Sequence, residues 1–488
     1  MSRPAGLFFG GLIALCATSL VGQTPGPPQE IATRIIDAAR ANTRVIEITQ
    51  YLTDWIGPRL AGSEQEQKAI RWTAERMRLD GLSNVRLQPV MVPRWVRGVE
   101  TGELLSPSNQ RLPLTALGGS VATPTEGITA EVVEVTRFDQ LNDGVKGKIV
   151  YYHTPLDPSL EPMNAYGNVI RFRSRGAVEA ARFGAVAALI RSTGTRSVGA
   201  PHTGSMYYAD DVPRIPNAAV NMESGDLLHR LIAAGEKPRV RIVLTPRSEG
   251  EVESANVIGE LPGTDRPDEI VVIGTHLDSW DLGSAAVDNA AGCAISMEVP
   301  RLLKELGLVP RRTIRVVLYT GEEIGNLGGE RYASLTDDEL RAHVAALEGD
   351  QGPDHPFGFR VSRGDLIVGT NPVGTSDDPG LEVARATLEQ WARVLEPVGA
   401  TRVDVGGIQG MGADISPLAR KGVLGVALRT DQSRYMELHH TDADTFDKIR
   451  PDAVRKNLAA LAFMTYALAN APESFYEALR SDAASSER

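Results

Sequence analysis

The sequence predicts an α/β fold: a mixed, largely parallel sheet sandwiched by helices, interrupted by an inserted β-rich module. Three observations predict it. From residue 253 onward, apolar runs (EIVVIGT, TIRVVLYT, HVAALEGD, GVLGVALRT) alternate with amphipathic stretches such as DNAAGCAISMEVPRLLKEL and LEVARATLEQWARVLE. That rhythm belongs to parallel strands covered by helices on both faces. Between about residues 100 and 250 the pattern changes to short strands punctuated by Gly and Pro, as in ELLSPSNQRLPLTALGG. Finally, 488 residues exceed what one hydrophobic core usually supports, so two domains are expected.

Taken in order, residues 1–23 read as a secretory signal. One arginine precedes an apolar run from Leu7 to Val21, too short for the ~20 residues of a spanning helix, and small residues come after it. Cleavage is expected near Gly22 or Gln23, which makes the mature protein secreted or periplasmic, with no stable membrane insertion. Residues 30–99 begin the main domain. Here SEQEQKAIRWTAERMRLDG reads as a helix from a Ser63 cap, with Glu66 in the capping-box position and a stop at Gly81; NVRLQPVMVP comes next as a strand. Alone, this segment is too short for a core, so the domain is discontinuous and resumes over 251–475. The insert, 100–250, contains the strand GVKGKIVYYHTP, the helix RSRGAVEAARFG and the strand AVAALIRS. The polar tail, 476–488, reads as disordered.

A formal charge of −11 argues against nucleic acid or an anionic membrane as partner, since both demand a basic surface. Removal of the signal takes Cys16 with it and leaves Cys293 as the only thiol. No intramolecular disulfide is then available, and Cys293 reads as a small core residue of an alanine-rich helix.

The chemistry lies just beyond the strands, where ligands bind in such sheets. VVIGT leads into His276, Asp278 and Asp288; IRVVLYTG into Glu322 and Glu323; VAALEG into Asp350. GVLGVALRT leads to His439, His440, Asp442 and Asp444. So many acids at one edge would repel severely without a divalent cation. Imidazole and carboxylate without thiolate suit zinc, with manganese or cobalt as substitutes. The set exceeds what one tetrahedral ion with an open position accepts, whereas two ions ~3.5–4 Å apart sharing a carboxylate would use it. The adjacent Glu322 and Glu323 allow one to bind metal while the other acts as base. Spaced i, i+2 in an extended segment, His276 and Asp278 point to one side, so the Asp278 carboxylate is expected to hold the far imidazole nitrogen.

These residues resemble the co-catalytic zinc exopeptidases, a phosphorylase/hydrolase-like fold that includes bacterial secreted aminopeptidases and carboxypeptidase Q-like enzymes. The resemblance runs from about Arg44 to Ala471 and is carried by YLTDWIGPRLAGSEQEQKAIRWTAERMRLDG, GTHLD, VDNAAG, TGEE and HHTDADT; KGKIV and RGAVEAARFGAVAALI resemble the family's protease-associated domain. It implies that Asp288 bridges two zinc ions, with His276 and Asp350 on one and Glu323 and His440 on the other. It also implies that Glu322 is the base and that the Asp288–Asn289 peptide is cis. The chain departs from the family's aminopeptidases in two places. His439 stands where many of them carry a tyrosine that polarises the scissile carbonyl, so His439, or else Tyr435, is expected to make the oxyanion contact. SAAVDNAAG also differs from their PGADDNASG, so amino-terminal specificity is not implied.

The expected activity is hydrolysis of short peptides or dipeptides by metal-activated water. Two other readings share the scaffold: a non-catalytic binding protein, which a missing metal ligand would favour although none is missing, and a glutaminyl cyclase-like acyltransferase with one zinc. The insert reads as a lid or as a homodimer surface. His153, His202 and His229 read as ordinary surface or core residues.

Overall fold

The computed structural model describes residues 24, 26–364, 378–407 and 412–481. The signal segment 1–23 and the last residues of the tail lie outside them. Two eight-stranded sheets form. The main sheet runs, in spatial order, Ser83–Val96, Arg247–Leu261, Arg312–Tyr319, Arg266–His276, His343–Glu348, Leu424–Thr430, Pro356–Ser362 and Arg402–Val405. Its four central strands, from Arg312–Tyr319 to Leu424–Thr430, are all parallel, and antiparallel neighbours flank them on both sides.

The apolar runs explain this burial. Alternate residues of each central strand enter different cores: Val271, Ile273, Val316 and Leu347 on one face, Ile270, Val272, Val317 and Ala346 on the other. The first face is covered by Gln29–Ala41, Ala291–Glu305, Pro379–Ala392 and Pro451–Asn470, the second by Leu327–Tyr332 and Ser416–Arg420. Cys293 is fully buried, donates its S–H to the His276 carbonyl at 3.0 Å, and is pushed up to about 12 by burial, so it is an inert core thiol.

The second sheet uses strands from Glu100 to Leu244 only. The chain leaves the main sheet along Ser83–Val96 and returns along Arg247–Leu261, which pair antiparallel along nearly their whole length. This two-stranded stalk connects one sheet to the other. One face of the second sheet holds a core with Leu104, Tyr151 and Ile242; the other packs Phe172, Ala177 and Ala181 of the long helix Pro162–Arg182.

Two local expectations differ from the structure. Ser63 caps its helix by accepting from the Glu66 amide, but the Glu66 carboxylate turns to the Gly62 amide at 2.7 Å and to the Thr320 hydroxyl. Glu66 is buried against the main sheet instead of closing a surface capping box. The tail is ordered further than expected: helix Glu473–Ser481 covers the first part of 476–488, with Phe475, Tyr476 and Leu479 buried and the Tyr476 hydroxyl donating to the Leu468 carbonyl at 2.8 Å. Three apolar residues at helical spacing outweigh the polar composition around them.

Phe475 packs on Trp391 with ring centroids 5.4 Å apart and is 1% exposed. Phe475→Ala is therefore expected to lower unfolding free energy by about 3–5 kcal/mol, read by denaturant titration. A change below about 1 kcal/mol would show that the terminal helix is not part of the core.

Candidate metal centre

Four adjacent parallel strands end at one edge of the main sheet and deliver the site. His276 is the last residue of Arg266–His276, and Asp350 lies two residues past His343–Glu348. Glu322 and Glu323 occupy the turn after Arg312–Tyr319; His439 and His440 come directly after the short helix Tyr435–Leu438, beyond Leu424–Thr430. Asp288 comes from the turn that enters helix Ala291–Glu305, and its peptide bond to Asn289 is cis. His440 has φ +61°, the left-handed region uncommon for a residue with a side chain, as befits a residue held by its surroundings.

Two trios meet at Asp288. His276 Nε2 lies 3.1 Å from Asp350 Oδ1 and 3.2 Å from Asp288 Oδ1. His440 Nε2 lies 2.9 Å from Glu323 Oε2 and 3.5 Å from Asp288 Oδ2. Each oxygen of Asp288 thus faces a different trio, and both trios gather one ligand atom per residue closely enough for a metal ion. Donors ~2.1 Å from a shared ion sit ~3–3.5 Å apart, which these distances match. Glu323 Oε1 is buried with no hydrogen-bond partner. Glu322 joins His276 and Glu323 in an overlapping trio and lines the cleft above the site.

The electrostatics are those of crowded acids. Burial and the charges of neighbouring carboxylates hold Glu322 and Glu323 well above the ordinary range. Burial pushes Asp288 up, yet the His276 hydrogen bond and the charges of His439, His276 and His440 outweigh it and hold Asp288 below. Burial drives His440 down to about 3 and His439 well below its usual value, so both imidazoles offer lone pairs.

The supporting contacts differ in part from expectation. His276 Nδ1 bonds to the main-chain carbonyl of Asp278 at 2.9 Å, while the Asp278 carboxylate is 3.9 Å away. That carboxylate instead accepts the amides of Glu322 and Glu323 at 3.1 and 3.3 Å. The expected Asp278–imidazole contact therefore gives way to one in which Asp278 fixes the turn bearing the glutamate pair. The strand ends at His276, so the i, i+2 rule no longer applies. Asp444 accepts from the Val287 and Asp288 amides at 2.8 and 3.0 Å, and Asp442 is exposed. Arg59, fully buried, donates to the carbonyls of Leu52, Gly57, Leu277, Ser284 and Ala285, stapling the loop between His276 and Asp288.

The second sheet reaches the site. Helix Pro162–Arg182 presents Met163, Tyr166, Ile170 and Arg173, at helical spacing, to a cleft of about 460 Å³ that also exposes Asp288, Glu322, Glu323, Asp350, Tyr435, His439 and His440. His202 is buried with Nε2 3.1 Å from His439 Nδ1, so it is a site residue. His153 and His229 are not scattered either: their rings stack at 4.2 Å, and His229 Nδ1 is 2.9 Å from Glu134. Nothing in the local sequence around His202 announces its place, because its partner is 237 residues away.

A parallel-sheet edge that gathers imidazoles and carboxylates under a cleft is the architecture of a metal-dependent hydrolase. Residues 256–465 match Peptidase family M28. Carboxypeptidase Q of Homo sapiens is 35% identical over 450 residues, 91% of this chain and 90% of the relative. The crystal structure of a Peptidase M28 precursor from Shewanella amazonensis superposes with a TM-score of 0.83 at 36% identity, covering 91% and 97% of the two chains. BSAP, a zinc aminopeptidase from Bacillus subtilis, shares the fold with a TM-score of 0.62 at 21% identity, over 87% and 94%. The chain belongs to peptidase family M28 and is an exopeptidase.

Glu66 supplies a pH test of the scaffold. Burial, and then the charge of Asp278, raise its carboxyl from 4.5 to about 8. Because the folded state holds this proton more tightly, its contribution is complete below the unfolded value near 4.5 and is lost as pH rises through 8. Glu66→Gln stays neutral, so its stability relative to wild type should climb steadily between about pH 5 and pH 8, by up to several kcal/mol, read as the difference in Tm. A pH-independent difference would contradict a buried, protonated Glu66.

Proposed function

We propose that the protein is a di-zinc exopeptidase that hydrolyses dipeptides and other short peptides. One observation carries the reading: Asp288 turns one oxygen toward His276 and Asp350, the other toward His440 and Glu323. The donor set fits zinc. His276 and Asp350 would hold one ion, Glu323 and His440 the other, with Asp288 between. Bound zinc would supply Lewis acidity toward a carbonyl and acidify water.

The remaining steps belong to the chain. Glu322, half-buried at the cleft floor with its amide fixed by Asp278, would take a proton from the attacking water and pass it to the leaving amine. Burial and the neighbouring carboxylates raise its proton affinity, which suits a group that takes up a proton and returns it. His439, with Nε2 4.0 Å from Asp288 Oδ2 and facing the cleft, would donate to the carbonyl oxygen as charge develops there. Tyr435 packs beneath the His439 ring at 4.8 Å. The wall formed by Met163, Tyr166 and Ile170 restricts the cleft to short substrates. Residues 1–23 would direct export, and among the described residues no helix is long and apolar enough to cross a membrane.

Glu322→Gln should lower kcat at least about 100-fold while zinc content, measured by elemental analysis, stays at two per chain. Wild-type turnover in that variant would remove Glu322 as the base; one zinc per chain in the wild type would remove the paired centre. A panel of free dipeptides beside amino-blocked and carboxyl-amidated peptides should show hydrolysis concentrated on the short, free substrates. Pyroglutamate formation without amino-acid release would point instead to acyl transfer.

A further inference from the structure

His202 belongs to the second sheet's loops, yet it is 3% exposed and packed among site residues. Its ring lies 5.2 Å from that of His440, and the Tyr166 ring meets both His202 and His439 edge-on at 5.9 and 5.3 Å. The His202 amide is held by Ser192 Oγ at 2.8 Å, which in turn donates to the Val220 carbonyl. The ring therefore has little freedom.

Two imidazole nitrogens 3.1 Å apart must share one proton, because two would clash and none would set lone pairs against each other. Either His202 Nε2–H donates to His439 Nδ1, or the reverse. Thr193 decides between them. Its hydroxyl lies 2.9 Å from His202 Nδ1 and 3.3 Å from Nε2, and among the described residues it bonds to no other acceptor. If His439 donated, His202 would carry its proton on Nδ1 and the buried Thr193 hydroxyl would lose its acceptor. If His202 donates, Thr193 O–H bonds to Nδ1 and every donor along the row is used. The far nitrogen of His439 then bears the proton, toward Asp288 Oδ2 and the cleft.

We propose that His202 is a positioning residue, which with Thr193 fixes His439 as the tautomer that points an N–H into the cleft. This rests on the reading of His439 as the donor to the carbonyl oxygen. Through His202 the second sheet contributes to the chemistry as well as to the wall. No sequence motif marks the residue.

The test uses the zinc-loaded full-length enzyme and a free dipeptide substrate. His202→Leu should lower kcat about 10–100-fold with KM within about twofold, as expected when a donor acts on the transition state alone. His202→Gln, whose amide nitrogen reaches where Nε2 stood, should recover most of kcat. Thr193→Val, a milder change that guards against misfolding of the Leu variant, should lower kcat several-fold. In a His439→Ala background, His202→Leu should cost less than about twofold, because the two residues act as one unit. An equal loss in both backgrounds, or a Gln variant no better than Leu at equal thermal stability, would overturn the role of His202. Full kcat in His439→Ala alone would instead overturn the donor role of His439, and this inference with it, leaving the zinc centre and Glu322 untouched.

Discussion

Repulsion among buried carboxylates is the constraint on which the structure turns. Asp278, Asp288, Glu322, Glu323 and Asp350 are gathered at one sheet edge, and each is fully or largely removed from water. Like charges ~4 Å apart in such surroundings cost several kcal/mol per pair unless something offsets them. The fold offsets them in three ways. Some acids are aimed at shared points where a cation fits, as in the trios around Asp288. Others receive main-chain amides, as do Asp278 and Asp444. Glu66 keeps its proton. Which solution a carboxyl takes depends on its place: chain ends of parallel strands point into the cleft, while residues one turn further meet backbone.

That division explains what is legible in the sequence. Strand ends are local events, so His276, Glu322, Glu323 and Asp350 can be placed from the residues just beyond each apolar run, and the parallel register then brings them together. Asp288 and His440 need the family's pattern, since each sits in a turn that composition alone does not fix. The expected Asp278 contact fails because a periodicity of two holds only while the strand lasts, and this one stops at His276. Arg59, Glu66 and His202 are illegible for another reason: a buried arginine bonded to carbonyls, a buried neutral glutamate and a histidine bonded to a histidine each depend on partners about 200 residues away or more.

The second sheet shows the same limit at larger scale. Its composition announces a separate β-rich module, but not that the long helix Pro162–Arg182 turns one face inward to its own core and the other to the cleft. The stalk makes this possible. Pairing of Ser83–Val96 with Arg247–Leu261 over most of their length sets the module's orientation by backbone hydrogen bonds instead of a flexible linker. The Arg97 guanidinium adds a lock at the stalk's end, bonding Asp281, just beyond the main-sheet strand Arg266–His276, together with Glu100, Thr115 and the Ala116 carbonyl of the second sheet.

A rigid attachment has a chemical consequence. A catalytic donor must stand within fractions of an ångström of its acceptor, and a side chain on a loosely tethered module could not orient one. Here the Thr203 carbonyl of the second sheet accepts from the ring of His440 at 3.3 Å, and the Thr203 amide donates to the His440 carbonyl at 2.9 Å. The loop that carries His439 and His440 is thus gripped from the second sheet through main chain as well as through His202. Asp444 holds the same loop to Asp288 from the opposite side. Held between elements of the two sheets, His440 can keep its left-handed backbone, and the imidazole it presents to Glu323 and Asp288 is set by contacts that neither sheet's elements could provide alone.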